Sequence, residues 1–205
     1  RDSIMAYKQH FIEWFSGKQL PSYWTVFNYS GSNTFTMADE VDGGLKITTG
    51  TGGDNRGLIR FQDASSNAIR QYSSTASVCI SVFKRVTGDT RTWSGFTSGT
   101  GDQAVNSGHI ASITDESSQT YKRAISSDGS ALSGLDTTVP IDTSYHSAKI
   151  EMRSSDFQAT IDGSLQVTKS SNPPSGDKVE PVFGNWNVAS GAKVGHITYM
   201  EAYNT

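Results

Sequence analysis

Residues able to grip a sugar occur in this chain as pairs two apart, within stretches that alternate apolar and polar. Arg91 and Trp93 form one pair, Tyr121 and Arg123 a second, Asn185 and Asn187 a third. On a strand that spacing puts both members on one face. An aromatic ring covers the apolar face of a pyranose, while amides and guanidiniums bond its hydroxyls. These six are the candidate carbohydrate-binding residues, with Trp186 as an alternative near the last pair. Trp186 cannot share a face of a regular strand with Asn185. If Val182, Gly184, Trp186 and Val188 face the core, then Phe183, Asn185 and Asn187 face a groove.

Cutting a glycosidic bond asks for more than gripping it. Two carboxylates must flank the bond, and carboxylates two apart on one strand, as in Glu-x-Asp-x-Glu, share a face. No such triplet occurs. Glu40-Val41-Asp42 is one step of it but precedes a Gly-Gly turn. Asp115-Glu116 reads as part of a hairpin turn, and Glu151 is followed by Met152 and Arg153. The four histidines, His10, His109, His146 and His196, show no zinc spacing. Cys79, the single cysteine, lies mid-strand and reads as a buried structural thiol. The loop Gly50 to Arg56 lacks the strand-turn-helix context and the lysine of a phosphate loop.

The elements that would position these residues are short strands. Tyr145 to Lys169 is the clearest stretch. Ala148, Ile150 and Met152 alternate with Lys149, Glu151 and Arg153, and Phe157, Ala159 and Ile161 resume the pattern. Asp162-Gly163 is a two-residue hairpin signal, because a type I′ turn needs positive φ at both central residues. Leu165 and Val167 continue the apolar face, giving a three-strand meander. Further strands are expected at Trp24–Tyr29, Phe35–Ala38, Gly44–Thr49, Leu58–Gln62, Thr75–Val86, Arg91–Thr97, Gly108–Thr114, Gln119–Ile125, Glu180–Val188 and Lys193–Tyr203. Residues 126–142 read as a loop. One helix is expected over residues 3–16, where Ile4, Tyr7, Phe11, Trp14 and Phe15 recur at helical spacing, with Asp2 or Ser3 as cap and Gly17 as stop. Its aromatic stripe makes Tyr7, Phe11 and Trp14 candidates for docking against a neighbouring subunit.

Composition bounds the rest. With 205 residues, 35% hydrophobic and 20 glycines, the chain suits one all-β domain, residues 18–205, behind an N-terminal arm, residues 1–17. A net charge of −3 with scattered basic residues argues against nucleic acid. No apolar run approaches ~18 residues, so no membrane-spanning helix is expected. The chain begins at Arg1, and something upstream is expected to have been removed or left out.

Several pieces in order resemble the concanavalin A-like lectin/glucanase superfamily: Phe15-Ser16-Gly17 through Tyr23-Trp24, Asp42-Gly43-Gly44-Leu45, Tyr145-His146 leading to Ile150-Glu151, Ile161-Asp162-Gly163, and Pro181 to Asn187 with Val194 to Tyr203. The resemblance implies an all-β jelly-roll sandwich of two antiparallel sheets, with a sugar site on the concave one. It implies no single activity, because one fold hosts lectins, hydrolases, lyases and structural modules. Alginate-type lyases of this fold carry Arg, His and Tyr or Gln on that sheet; Arg56 and Arg60, then His109, stand in similar order here, the segment Phe183 to Asn187 lacks the expected Tyr, and Tyr121 can stand in for it. Domains of this kind often hold a structural calcium ion on carboxylate and carbonyl oxygens. The candidate ligands are Asp39, Glu40 and Asp42, with Asp128 and Asp136 as a second acidic pair. The leading expectation is a non-catalytic carbohydrate-recognition module, extracellular or on a virion or cell surface. A structural or attachment module with neighbouring subunits as partners is the next, and a polysaccharide lyase the third.

Overall fold

Alternation with a period of two becomes sixteen strands among the described residues, every pair antiparallel. The computed structural model describes residues 10–38, 43–61, 72–98, 109–128, 132–171 and 178–205. In chain order the strands are β1 His10–Glu13, β2 Thr25–Ser30, β3 Thr34–Met37, β4 Leu45–Thr48, β5 Arg56–Arg60, β6 Tyr72–Ser73, β7 Ser77–Arg85 and β8 Thr90–Thr97. They continue as β9 His109–Glu116, β10 Tyr121–Asp128, β11 Leu132–Pro140, β12 His146–Met152, β13 Phe157–Ile161, β14 Ser164–Lys169, β15 Lys178–Asn187 and β16 Val194–Asn204. The first sheet runs β14-β13-β12-β7-β16-β4-β3, with β1 also on β16. The second runs β11-β10-β9-β8-β15-β5-β2, with β6 on β15.

The sheets stack face to face. Cys79, Phe83, Ile150, Met152 and Met200 from the first meet Ile59, Phe96, Ala111, Ile113 and Phe183 from the second in one apolar core. The expected meander forms, and its turn has positive φ at both central residues, 49° at Asp162 and 78° at Gly163. Cys79 is buried, and its thiol is pushed well above its usual range by burial and, less, by the Glu201 charge.

Two expectations fail here. The described residues contain no helix. Residues 10–13 instead form β1, with Phe11 paired to Ala202 and Glu13 to Met200. A strand sends neighbours to opposite faces, so Phe11 enters the core while Ile12 is exposed. Phe15 also enters the core, whereas Trp14 stays 65% exposed on the outside. Glu13 is buried, with its carboxylate taking the Tyr23 hydroxyl at 2.5 Å and the Phe15 amide at 2.9 Å. Residues 1–9, including Tyr7, lie outside the described residues. The second failure is β11, a nine-residue strand where a loop is expected. It is the edge of its sheet and pairs only with β10.

A charged cluster ties the sheets together inside. Arg85 of β7 reaches Asp115 of β9 at 3.1 Å, and Lys122 of β10 pairs with the other oxygen of Asp115. All three are buried, and Asp142 lies 3.7 Å from the Lys122 ammonium. Asp115 is therefore a strand residue of the interior and not part of a turn.

Candidate functional site

The register of the second sheet sorts its outward residues into rows that cross the strands. The first row reads Arg56 (β5), Trp186 (β15), Arg91 (β8) and Glu116 (β9). Tyr121 opens β10 two residues before Arg123 and pairs with Pro140 of β11. The second reads Phe27 (β2), Leu58, Gly184, Trp93, Thr114, Arg123 and Asp136 (β11). The third reads Thr25, Arg60, Val182, Gly95, Ser112, Ile125 and Gly134. This face looks away from the other sheet, yet Leu58, Trp93, Ile110, Ile125 and Val182 on it are buried and form their own apolar cluster. Trp93 fits because Gly184 beside it has no side chain: a Cβ there would stand 2.2 Å from the indole.

The first row is a stack of charges on a ring. The guanidinium carbons of Arg91 and Arg56 lie 4.5 and 5.6 Å from the Trp186 ring centre, within cation–π range. Arg91 grips Glu116 with two bonds, at 2.8 and 3.0 Å, and Ser118 donates to the same carboxylate at 2.9 Å. Burial by itself would raise the Glu116 pKa, but Arg91, Ser118 and the charge of Arg123 outweigh it and hold the carboxyl below its usual range. The folded-state pKa is depressed, so the contribution to stability is present above the unfolded value, near ~4.3, and is lost as pH falls through the folded value. Glu116→Gln is therefore expected to be less stable than the parent at pH 7, with the gap closing below pH ~4. Guanidinium unfolding curves at both pH values check this; a gap that widens in acid contradicts it.

In the second row Arg123 pairs with Asp136 at 2.9 Å. In the third, Arg60 lies over Phe27 at 5.2 Å and is paired with Glu180, and both charges are buried. Phe27 stacks on Tyr29 at 6.1 Å.

The six expected sugar-binding residues divide. Arg91, Trp93, Tyr121 and Arg123 share this outer face, Trp93 as a buried floor and Tyr121 40% exposed. Asn185 and Asn187 do not. The facing of β15 is the reverse of the groove expectation: Phe183 enters the inter-sheet core, and Val182, Gly184 and Trp186 look outward. Asn185 is buried, accepting from Thr90 and Thr92 at 2.9 Å and donating to the carbonyls of Ile47 and Lys193 at 3.2 Å. Asn187 donates to the carbonyls of Gly50, Gly52 and Gly191 at 2.7–3.1 Å. It thus pins the glycine-rich loop that leads into Arg56, and both amides act as internal struts.

The lyase trio is not brought together. Arg60 and Tyr121 stand four strands apart, roughly 19 Å at ~4.8 Å per strand. His109 pairs with Asp128, seven residues along β10 from Tyr121 and so roughly 23 Å away. The docking candidates also part company: Phe11 is in the core, and Trp14 lies on the outer face of the first sheet, 4.6 Å from Tyr199. The metal candidates Asp39, Glu40 and Asp42 lie outside the described residues. Among the described residues no group of three or more acids, histidines or cysteines gathers as metal ligands would. Of the second acidic pair, Asp136 is the partner of Arg123 and Asp128 lies at the other end of the sheet.

Sequence reasoning missed Arg56, Trp186 and Glu116 as members of one row. The signal for Glu116 is present: Ile110, Ser112, Thr114 and Glu116 are two apart, so the strand carries the glutamate onto the outward face.

Comparison with known proteins places the fold. No protein-family model matches the chain, and no curated protein matches it in sequence. Solved structures do match. A Bacillus licheniformis β-glucanase superposes with a TM-score of 0.65 at 11% identity, covering 96% of this chain and 98% of that one. The carbohydrate-recognition domain of Emp47p gives 0.63 at 10%, covering 95% and 94%. An alginate lyase of polysaccharide lyase family 7 gives 0.62 at 14%, covering 90% and 95%. Identities this low carry the architecture and nothing finer. With its two antiparallel sheets, the chain has the concanavalin A-like jelly-roll fold.

Proposed function

We propose that the chain is a glycan-binding module, non-catalytic, whose ligand lies across the outer face of the second sheet along Arg56, Trp186, Arg91 and Tyr121. One observation carries this reading: the face gathers rings and guanidiniums into a cross-strand row while its described carboxylates stand one to a strand. Glu116, Asp136 and Glu180 belong to β9, β11 and β15, and each is ion-paired to an arginine. A glycosidase needs one carboxyl that keeps its proton to give to the leaving oxygen. Glu116, with its lowered pKa, is the opposite of such a group. The fold neighbours support a glycan-related role, since they include a carbohydrate-recognition domain, glucanases and an alginate lyase.

A glycan-array screen tests the proposal. The parent is expected to give specific hits, and Trp186→Ala, which removes the ring that orders both arginines, is expected to weaken them about tenfold or more. Binding unchanged in a variant with native circular dichroism, or a blank array for the parent, would sink it.

A second reading, a structural or attachment module of a virus particle or cell-surface assembly, is favoured by Trp14. With Ser16, Val82, Tyr145, Thr198 and Tyr199 it lines an open groove of about 770 Å³ on the first sheet. Solution mass separates the readings: an oligomer that dissociates on Trp14→Ser supports the assembly role.

A further inference from the structure

We propose that the ligand of the second-sheet face is an anionic oligosaccharide, bearing carboxylate or sulfate groups, bound with its chain running across the strands from Arg56 to Arg123. This rests on the site reading above and adds the ligand class to it.

Three observations carry it. First, the Trp186 indole lies between the guanidiniums of Arg56 and Arg91. A neutral pyranose would have to displace an arginine to lay its apolar face on that ring, whereas an anionic group meets guanidinium N–H donors at once. Second, the carboxylate of the first row is already engaged. The Glu116 oxygens are taken by Arg91 and Ser118. A ligand on this row therefore meets guanidinium donors and not a free carboxylate.

Third, the ion pairs are of two kinds. Arg60–Glu180 and Arg91–Glu116 are shielded, with side-chain exposures of 9% and 4% in the first and 19% and 10% in the second. These are internal and stay closed. Arg123 is 30% exposed beside a 58% exposed Asp136, and Arg56, itself 15% exposed, lies 3.9 Å from an Asp54 that is 67% exposed. Such exposed pairs are weak, so a ligand anion can take the place of either aspartate. Arg56 and Arg123 are on β5 and β10, four strands apart and roughly 19 Å from each other. A ligand touching both is an oligosaccharide with charges on separate residues, not a monosaccharide.

Isothermal titration with polygalacturonate, dextran sulfate and neutral lichenan, at low and at 300 mM salt, tests this. The anionic chains are expected to bind about tenfold tighter than lichenan, with the preference shrinking at high salt. Arg56→Gln and Arg123→Gln together should remove the preference, while Arg153→Gln, in the turn between β12 and β13, leaves it in place. Polygalacturonate alone showing the preference assigns a carboxylate ligand; both polyanions showing it supports the anionic class without choosing between the two. Lichenan binding as tightly as the polyanions, and losing affinity with Trp186→Ala, overturns the ligand class and leaves the site standing. No binding of any glycan by the parent overturns both. A preference that survives the double variant with native circular dichroism overturns the assignment to these arginines.

Discussion

Asp115→Ala is expected to cost the fold roughly 3–5 kcal/mol, because it strands two buried cations. Arg85 and Lys122 come from different sheets and meet on this one carboxylate, with side-chain exposures of 8%, 3% and 1% for Arg85, Lys122 and Asp115. The nearest other acid, Asp142, is 43% exposed and 3.7 Å from Lys122, too solvated to take over. A domain has about 5–15 kcal/mol in all, so the variant should sit close to unfolding at room temperature. Urea titration measures it. If the loss is too great for soluble protein, Asp115→Asn keeps the shape and removes only the charge, and its midpoint should still fall well below the parent's. Replacing the whole cluster by apolar side chains, as Arg85→Met, Asp115→Leu and Lys122→Met together, should recover most of the stability, since a buried ionic group is often matched by apolar residues of similar volume. An Asp115→Ala protein within ~0.5 kcal/mol of the parent would show that the cluster does not hold the sheets together.

The same cluster shows where the sequence could and could not be read. The meander was legible because one face of β12 and β13 is apolar and the other polar, and because Asp162-Gly163 can adopt the turn that joins β13 to β14. The direction of β15 was not legible. Val182, Phe183 and Asn185 are all buried, so alternation gives no polarity, and only the partner carbonyls of Ile47 and Lys193 decide that the amide goes inward. Residues 10–13 carry two competing signals. Phe11, Trp14 and Phe15 fit a helix, but β16 presents an open edge that β1 completes, and a tertiary ladder overrides a local period. β11 was missed because its sequence is polar and its one partner leaves it at the sheet's edge. The site suffered from the same cause. A row across four strands has no sequence signature, because its members are brought side by side by register and not by spacing along the chain.

Gly184 is where that register can be tested most sharply. Its hydrogen is all that separates the β15 backbone from the Trp93 indole; a Cβ would lie 2.2, 2.4 and 2.7 Å from three ring atoms. Gly184→Val must therefore push the indole off the sheet, at a cost of about 1–3 kcal/mol for an overfilled site. Trp186 packs against the same apolar cluster, so a shift of the indole disturbs Trp186 and the two arginines it orders. Glycan affinity is expected to drop about tenfold along with stability. The pairing can be separated from general damage by adding Trp93→Ala. By itself that change leaves a large cavity, worth roughly 3–5 kcal/mol, but combined with Gly184→Val the two defects compensate. The double variant should be more stable than the sum of the singles by at least ~1 kcal/mol, measured by urea unfolding of all four proteins. Additivity within ~0.5 kcal/mol would mean that the two residues do not share this space, and the outward floor of the second sheet would have to be redrawn.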